Sequence, residues 1–306
     1  RHPFHMQFNV MNHDTQATAA LQARLRDPSL LETRAWLASG WQEASDGRSF
    51  AVTNPTTGEI LARVASLSGA EVESAITASA QAQAVWQRRS SHERAKLLRA
   101  WFDLMIANAD DLALIMTSEQ GKPLAEARGE ILYAASFVEW FAEEAKRIYG
   151  DVASHPQTDK RILVIRQPVG VCAAITPWNF PAAMITRKAA AAIAVGCTTG
   201  VKPAHETPFS ALALAQLAEQ AGFPPGVFNV VLGEPQMAME TLVGDTRVRA
   251  VSFTGSTRVG RRMLDYAGRS NLKRVYNELG GKSAVLVFPD CDDLDRAART
   301  IAGSMF

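Results

Sequence analysis

The chain has 306 residues, 47% hydrophobic and 21% charged, and 32 basic against 31 acidic side chains leave a formal charge of +1. These values exclude a disordered chain, a collagen-like repeat and a disulfide-built miniprotein. They also leave no global pull toward nucleic acid or an anionic membrane. No apolar run approaches the roughly 20 residues that span a bilayer.

Three cysteines, Cys172, Cys197 and Cys291, lie far apart without C-x-x-C spacing. A sparse, odd count suits a reducing compartment, and a cytoplasmic location is expected. Residues 1–15 are basic and aromatic at their start, without the apolar core of a secretory signal, and read as a poorly ordered leader.

Residues 36–64 alternate and turn as short strands do, with turn signals at Ser45-Asp46-Gly47 and Asn54-Pro55-Thr56-Thr57-Gly58. From Gly69 to Gly150 the pattern is helical. Leu97, Leu98, Trp101, Leu104 and Met105 share one face. Gly121-Lys122-Pro123 breaks the run and Pro123 opens the next helix, on which Leu132, Phe137, Trp140, Phe141 and Ile148 are expected in the core. Arg161–Arg166 alternates like an exposed strand.

From Val169 the texture changes to a regular alternation. Strands are predicted at Val169–Thr176, Thr198–Lys202, Val227–Leu232, Ala250–Thr254 and Lys273–Glu278. Helices are predicted at Pro181–Val195, Pro208–Ala221, Pro235–Val243 and Ser256–Ala267. Apolar strands alternating with helices predict a doubly wound α/β fold with a parallel sheet. Ligands of such sheets sit beyond the carboxyl ends of the strands.

Four strand-end motifs carry the chemistry. Thr176-Pro177-Trp178-Asn179-Phe180-Pro181 is a stiff loop in which Asn179 either donates to a developing oxyanion or caps the helix that follows. Val201-Lys202-Pro203 puts a lysine where a ribose or phosphate can lie, or leaves it solvated. Phe253-Thr254-Gly255-Ser256-Thr257 is a strand–turn–helix junction whose backbone N–H groups suit a phosphate, although no G-x-G-x-x-G occurs. Asn277-Glu278-Leu279-Gly280-Gly281 ends a strand on a glutamate that is either a buried general base or a capping, ion-pairing residue.

In this order and spacing the four motifs closely resemble the aldehyde dehydrogenase superfamily, from about Trp36 to Phe306, including the turn at Asn54–Glu59. Within it, Ile175–Ala189 and Thr207–Val231 look most like succinate-semialdehyde dehydrogenases. Leu272–Ala298 looks more like enzymes acting on gamma-glutamyl-aminobutyraldehyde. The resemblance implies a Rossmann-like cofactor domain from residues 16–149 and 169–281, an oligomerisation strand segment at 150–168, and the start of a catalytic domain at 282–306. It implies oxidation of an aldehyde through a cysteine thiohemiacetal and thioester, with NADP or NAD as cofactor, no metal, and a homo-oligomer, dimer or tetramer.

By the same resemblance Asn179 donates to the oxyanion and Glu278 activates the thiol or the hydrolytic water. Lys202 holds the adenosine ribose, Gly255 and Ser256 meet the pyrophosphate, and Thr176, Pro177, Trp178 and Leu279 belong to the cofactor site, Trp178 and Leu279 on the nicotinamide side. Arg187 binds a semialdehyde carboxylate or the cofactor, or else makes a helix-surface ion pair. His205 stands where NAD-preferring relatives often carry a glutamate, which leans the expectation toward NADP, while Glu206 keeps NAD open. The family nucleophile belongs to a Gly-Gln-x-Cys segment about 35 residues beyond Glu-Leu-Gly-Gly. Cys172 and Cys197 read as buried small residues and Cys291 has acidic neighbours, so this chain is expected to bind cofactor without turning over aldehyde. A cofactor-binding module or inactive pseudoenzyme is the alternative. A reductive acylating enzyme that releases a CoA thioester is disfavoured by Glu278.

Overall fold

The computed structural model describes residues 17–305, so the expected leader lies outside the described residues. The polypeptide is organised around a seven-stranded sheet with the order β11-β10-β7-β8-β9-β1-β2. Strands β7 (Val171–Ile175), β8 (Thr199–Lys202), β9 (Phe228–Val230), β10 (Val248–Thr254) and β11 (Arg274–Glu278) pair in parallel. Strand β1 (Ala35–Leu37) joins β9 antiparallel through Trp36 and Val230, and β2 (Gly40–Gln42) extends that edge. The parallel core is the expected one; the antiparallel extension uses the short strands of the amino-terminal third.

The order reverses between β7 and β10, so a crevice opens where their carboxyl ends diverge. Strand β7 begins at Val171, after Gly170 (φ 119°), later than the apolar run from Val169 suggests. Helices α5 (Ala183–Ala194) and α6 (Pro208–Gln220) cross between the first three parallel strands, and α7 (Pro235–Gly244) and α8 (Thr257–Gly268) follow β9 and β10.

The amino-terminal helices cover this layer. Helices α1 (Gly69–Trp86) and α2 (Ser91–Ala107) each start with a capping box, Ser68 with Glu71 and Ser90 with Glu93. Gly121, at φ 88°, ends α3 (Ala109–Gln120), and Pro123 stands at the N-cap of α4 (Leu124–Glu144). Leu98, Trp101 and Met105 are fully buried as the spacing predicts. The indole N–H groups of Trp86 and Trp101 donate to Ile193 O and Leu214 O.

Two core expectations on α4 are corrected. Leu132 and Trp140 are 38% and 63% exposed, because the packed face is Ala127, Ile131, Ala134, Ala135 and Val138. Small residues there let α4 approach α5 closely. Strands β3 (Ser49–Thr53) and β4 (Ile60–Ala65) form one hairpin. Strands β5 (Asp151–Ser154) and β6 (Arg161–Val164) form another, exposed at every residue.

Candidate active site

The four motifs meet along the carboxyl ends of adjacent strands. In register, Ile175 faces Lys202 on one side and Phe253 on the other, and Thr254 faces Glu278. Thr176 continues the ladder by donating its N–H to Lys202 O at 3.2 Å, and its buried Oγ1 has no hydrogen-bond partner among the described residues.

The loop after β7 is held from outside the sheet. Lys122 Nζ donates to Asn179 O at 3.1 Å, lies 4.3 Å from the Phe180 ring centroid, and pairs with Glu130 at 2.5 Å. The other Glu130 oxygen accepts from the N–H groups of Ala182 and Ala183, at 3.0 and 3.2 Å. Helix α5 has no side-chain cap of its own, so Glu130 caps it from α4. Asn179 therefore does not cap α5. Its side chain is exposed and makes no hydrogen bond with the described residues, which leaves the amide available to a ligand.

Lys202 departs from the picture of a solvated lysine. It is 5% exposed, and among the described residues Nζ donates only to Pro203 O at 2.9 Å. Burial lowers its pKa to about 8, against the pull of Glu206 and Glu234. The His205 ring stacks on Phe50 at 3.7 Å, and its buried Nδ1 has no hydrogen-bond partner among the described residues. Burial, reinforced by Lys202, lowers the His205 pKa as well.

Gly255 donates its N–H to Glu278 O at 3.0 Å, and a Cβ there would stand 2.6 Å from Phe253 Cζ. Ser256 caps α8 by accepting from Val259 N. The Leu279 side chain lies against Gly260 on the first turns of α8, where a Cβ would stand 2.4 Å from Leu279 Cδ2. Unpartnered buried polar atoms at Thr176 and His205, a nearly unpaired buried cation at Lys202, and a capped helix start behind Gly255 fit a phosphorylated dinucleotide.

Glu278 is exposed, which sets aside the buried-base alternative, because β11 is the edge strand of the sheet. Its neighbourhood reveals a residue that the motifs do not flag. Lys188 Nζ, on α5, donates to Thr254 Oγ1 at 2.7 Å. Its pKa is lowered to about 8 by burial and by Arg187, against the pull of Glu278. A charged residue in the alanine-rich stretch Lys188–Ala194 was its only signal in the sequence. Arg187 makes no ion pair among the described residues: it donates to Tyr133 Oη at 3.2 Å and lies 4.7 Å from the Phe137 ring centroid. Arg187, Lys188 and Glu278 line one cavity of about 560 Å³.

Cys172 borders the same cavity but sits opposite Ala250, four residues before Thr254, the level of Glu278. At about 3.3 Å per residue this is ~13 Å along the strand. Cys197 is 1% exposed at the other end of the layer. Cys291 lies in a turn with Asp290, Asp292 and Asp293, its thiol donating to Asp293 O. No group of His, Cys, Asp or Glu suited to a metal ion occurs among the described residues, and no helix there is long and apolar enough to cross a membrane.

A parallel sheet with a stiff asparagine loop, a buried strand-end lysine and a glycine–serine helix start defines a doubly wound, Rossmann-like α/β domain. Residues 41–306 match the aldehyde dehydrogenase family, and the chain belongs to it. The chain is 53% identical over 274 residues to a glutarate-semialdehyde dehydrogenase of Pseudomonas putida, covering 90% of this chain and 57% of that protein. It is 52% identical over 283 residues to an NADP(+) succinate-semialdehyde dehydrogenase of Escherichia coli, covering 92% and 58%. The crystal structure of an aldehyde dehydrogenase from Brucella melitensis biovar abortus 2308 superposes with a TM-score of 0.87 at 55% identity, over 92% of this chain and 57% of that one. The chain thus spans somewhat more than half the length of these relatives.

Proposed function

We propose that this chain carries the cofactor-binding part of an enzyme that oxidises a short semialdehyde to the carboxylic acid with NADP or NAD. The observation that carries the reading is Lys202: a buried cation with one backbone partner beside an unpartnered His205. In this reading residues 16–149 and 169–281 form the cofactor domain and 282–306 begin the catalytic domain. The exposed β5–β6 hairpin, with Val152, Ile162, Leu163 and Val164, supports the assignment of 150–168 to an oligomer contact.

Lys202 and His205 bind the adenosine ribose and favour a 2′-phosphate. Ser256 and the backbone at Gly255 bind the pyrophosphate, and Thr176, Pro177, Trp178 and Leu279 line the nicotinamide end. When bound, the cofactor supplies the hydride acceptor. The Asn179 amide donates to the oxyanion of the substrate, held by Lys122 through its main chain. Glu278 takes the proton of the attacking thiol or of the hydrolytic water, with the Lys188 ammonium near it. Arg187, oriented by Tyr133 and Phe137, binds the carboxylate of the semialdehyde.

The ~13 Å along the strand between Cys172 and the level of Glu278, and the burial of Cys197 at the other end of the layer, support reading none of the three cysteines as the nucleophile and these residues as a cofactor binder. Calorimetric titration of the chain with NADP+ and NAD+ tests the cofactor assignment: binding of both with tighter NADP+ supports it, and no binding of either refutes it. In the enzyme containing the catalytic segment, Arg187→Ala raises KM for succinate or glutarate semialdehyde about tenfold or more with kcat little changed, and an unchanged KM removes Arg187 from the substrate site.

A further inference from the structure

The amino-terminal end of the parallel sheet, opposite the four motifs, gathers cations without a matching set of carboxylates. Arg94, early in α2, is 8% exposed. Its Nε donates to Ala194 O at 2.9 Å and its Nη1 to Arg89 O. Its Cζ stands 3.5 Å from the place of a Cβ on Gly196, where a φ of 94° turns the chain out of α5. Both partners are main-chain carbonyls, so the guanidinium ties the end of α5 to the start of α2 without a carboxylate. Arginine stays protonated in such a place, and buried charges are ordinarily paired. The carboxyl end of α5 offsets only part of this one.

Arg94 lines a cavity of about 550 Å³ bounded by the residues after α1, the residues after α4 and the segment leading into β7. Arg88, Lys146 and Arg166 line it too, and no aspartate or glutamate does. The Arg88 guanidinium makes no hydrogen bond or ion pair with the described residues. Arg166 commits only Nε, to Tyr149 O at 2.8 Å. Lys146 pairs with Glu143 at 2.9 Å. Glu93, beside Arg94 in sequence, has its carboxylate engaged by the N–H and Oγ of Ser90, both at 2.8 Å. Two nearby carboxylates thus face four cations, and neither lines the cavity. The Gln87 and Gln167 side chains line it and make no hydrogen bond with the described residues, so their amides are open to a ligand.

We propose that this cavity binds a small polyanion of the phosphate class, with buried Arg94 as its floor and exposed Arg88 and Arg166 as its rim. A guanidinium presents paired N–H donors in a fork that matches phosphate oxygens, and the rim side chains can close on the ligand from two segments. Gln87 and Gln167 add neutral donors. The volume lies within the range of small-molecule sites, about 300–1,000 Å³. A polyanion suits the site better than a lone carboxylate, because three guanidiniums and an ammonium share the space and a single charge neutralises only one of them. Binding relieves their mutual repulsion and joins α1, α2 and the segment before β7, so the ligand stabilises the folded chain.

The test needs only this chain, with pyrophosphate as the probe, titrated calorimetrically at low ionic strength. Binding is expected, with a rise in Tm of about 4 °C at a hundredfold excess over Kd. Arg88→Glu and Arg166→Glu should each weaken it about tenfold or more. Arg24→Glu makes the same charge change at an exposed arginine outside the cavity, and should leave affinity within about twofold. No heat and no rise in Tm overturns the proposal. Affinity that survives either rim variant also overturns it, and survival of both would place the pyrophosphate elsewhere, as at the glycine–serine helix start. Equal weakening in all three variants overturns it as well, since that is diffuse attraction to a basic surface. The melt of the parent chain with and without pyrophosphate needs no variant, so a folding defect in one of them leaves the test decisive.

Discussion

Replacing Lys122 by Met deletes the cation that neutralises Glu130. The Glu130 side chain is 1% exposed and that of Lys122 12%, so the pair is buried and weakly screened. Removing one partner of such a pair costs about 3–5 kcal/mol, because the other charge stays buried alone. Glu130 keeps its bonds from Ala182 and Ala183 and the positive end of the α5 dipole, which offset part of the loss. The lower figure, ~3 kcal/mol, is therefore expected, equivalent to a fall of about 5 °C in Tm for a chain of this size. Thermal melts of Lys122→Met, Glu130→Gln and the double variant measure it. The double variant should recover about half the loss, since no charge remains stranded. Amide exchange at Ala182 and Ala183 and through residues 176–181 should accelerate in Lys122→Met, because the lost ammonium also held Asn179 O. A melt within 1 °C of the parent, or additive losses in the double variant, would refute the coupling between this pair and the loop.

Three further outcomes follow from the site. Lys202 is held at about 8, so NADP+ binding above that pH requires the chain to take up a proton. Affinity should fall toward tenfold per pH unit above 8 for NADP+ and far less for NAD+, and Lys202→Met should remove the slope; equal slopes for the two cofactors would count against a phosphate at Lys202. Gly255→Ala sets a Cβ against the buried Phe253 ring, and calorimetry should show cofactor affinity lowered about tenfold or more, whereas unchanged affinity would show that the ring yields. In the enzyme containing its catalytic segment, Glu278→Gln should slow acid release about 100-fold and leave a pre-steady-state burst of reduced cofactor; an unaltered turnover rate would remove Glu278 from the mechanism.

The fold and the strand-end motifs were legible in the sequence because they depend on local chemistry. Apolar runs of strand length alternating with helices can bury both sheet faces only as a parallel layer. Pro123 after Gly121, and Ser256 after Gly255, mark helix starts through backbone geometry alone. Side-chain environment was less legible. On α4, Leu132 and Trp140 looked like core but are exposed, whereas Phe137 and Phe141 pack against the core; the fully buried face, Ala127, Ile131, Ala134, Ala135 and Val138, is mostly small because close helix approach selects small residues on the touching side. For Glu278 and Lys202 the sequence left burial open, and strand order decides it, exposing Glu278 on the edge strand β11 and burying Lys202 on the interior strand β8.

By itself, then, the sequence determined the element types, the order of the four motifs and the family they resemble. Only the tertiary structure decided which distant groups serve those motifs. Lys122 and Glu130 reach the Asn179 loop from another layer, Phe50 stacks on His205 from a separate hairpin, and Lys188 lies near Glu278 through its bond to Thr254. Such pairings are set by layer packing and register between segments far apart in the chain, and local propensity carries no record of them.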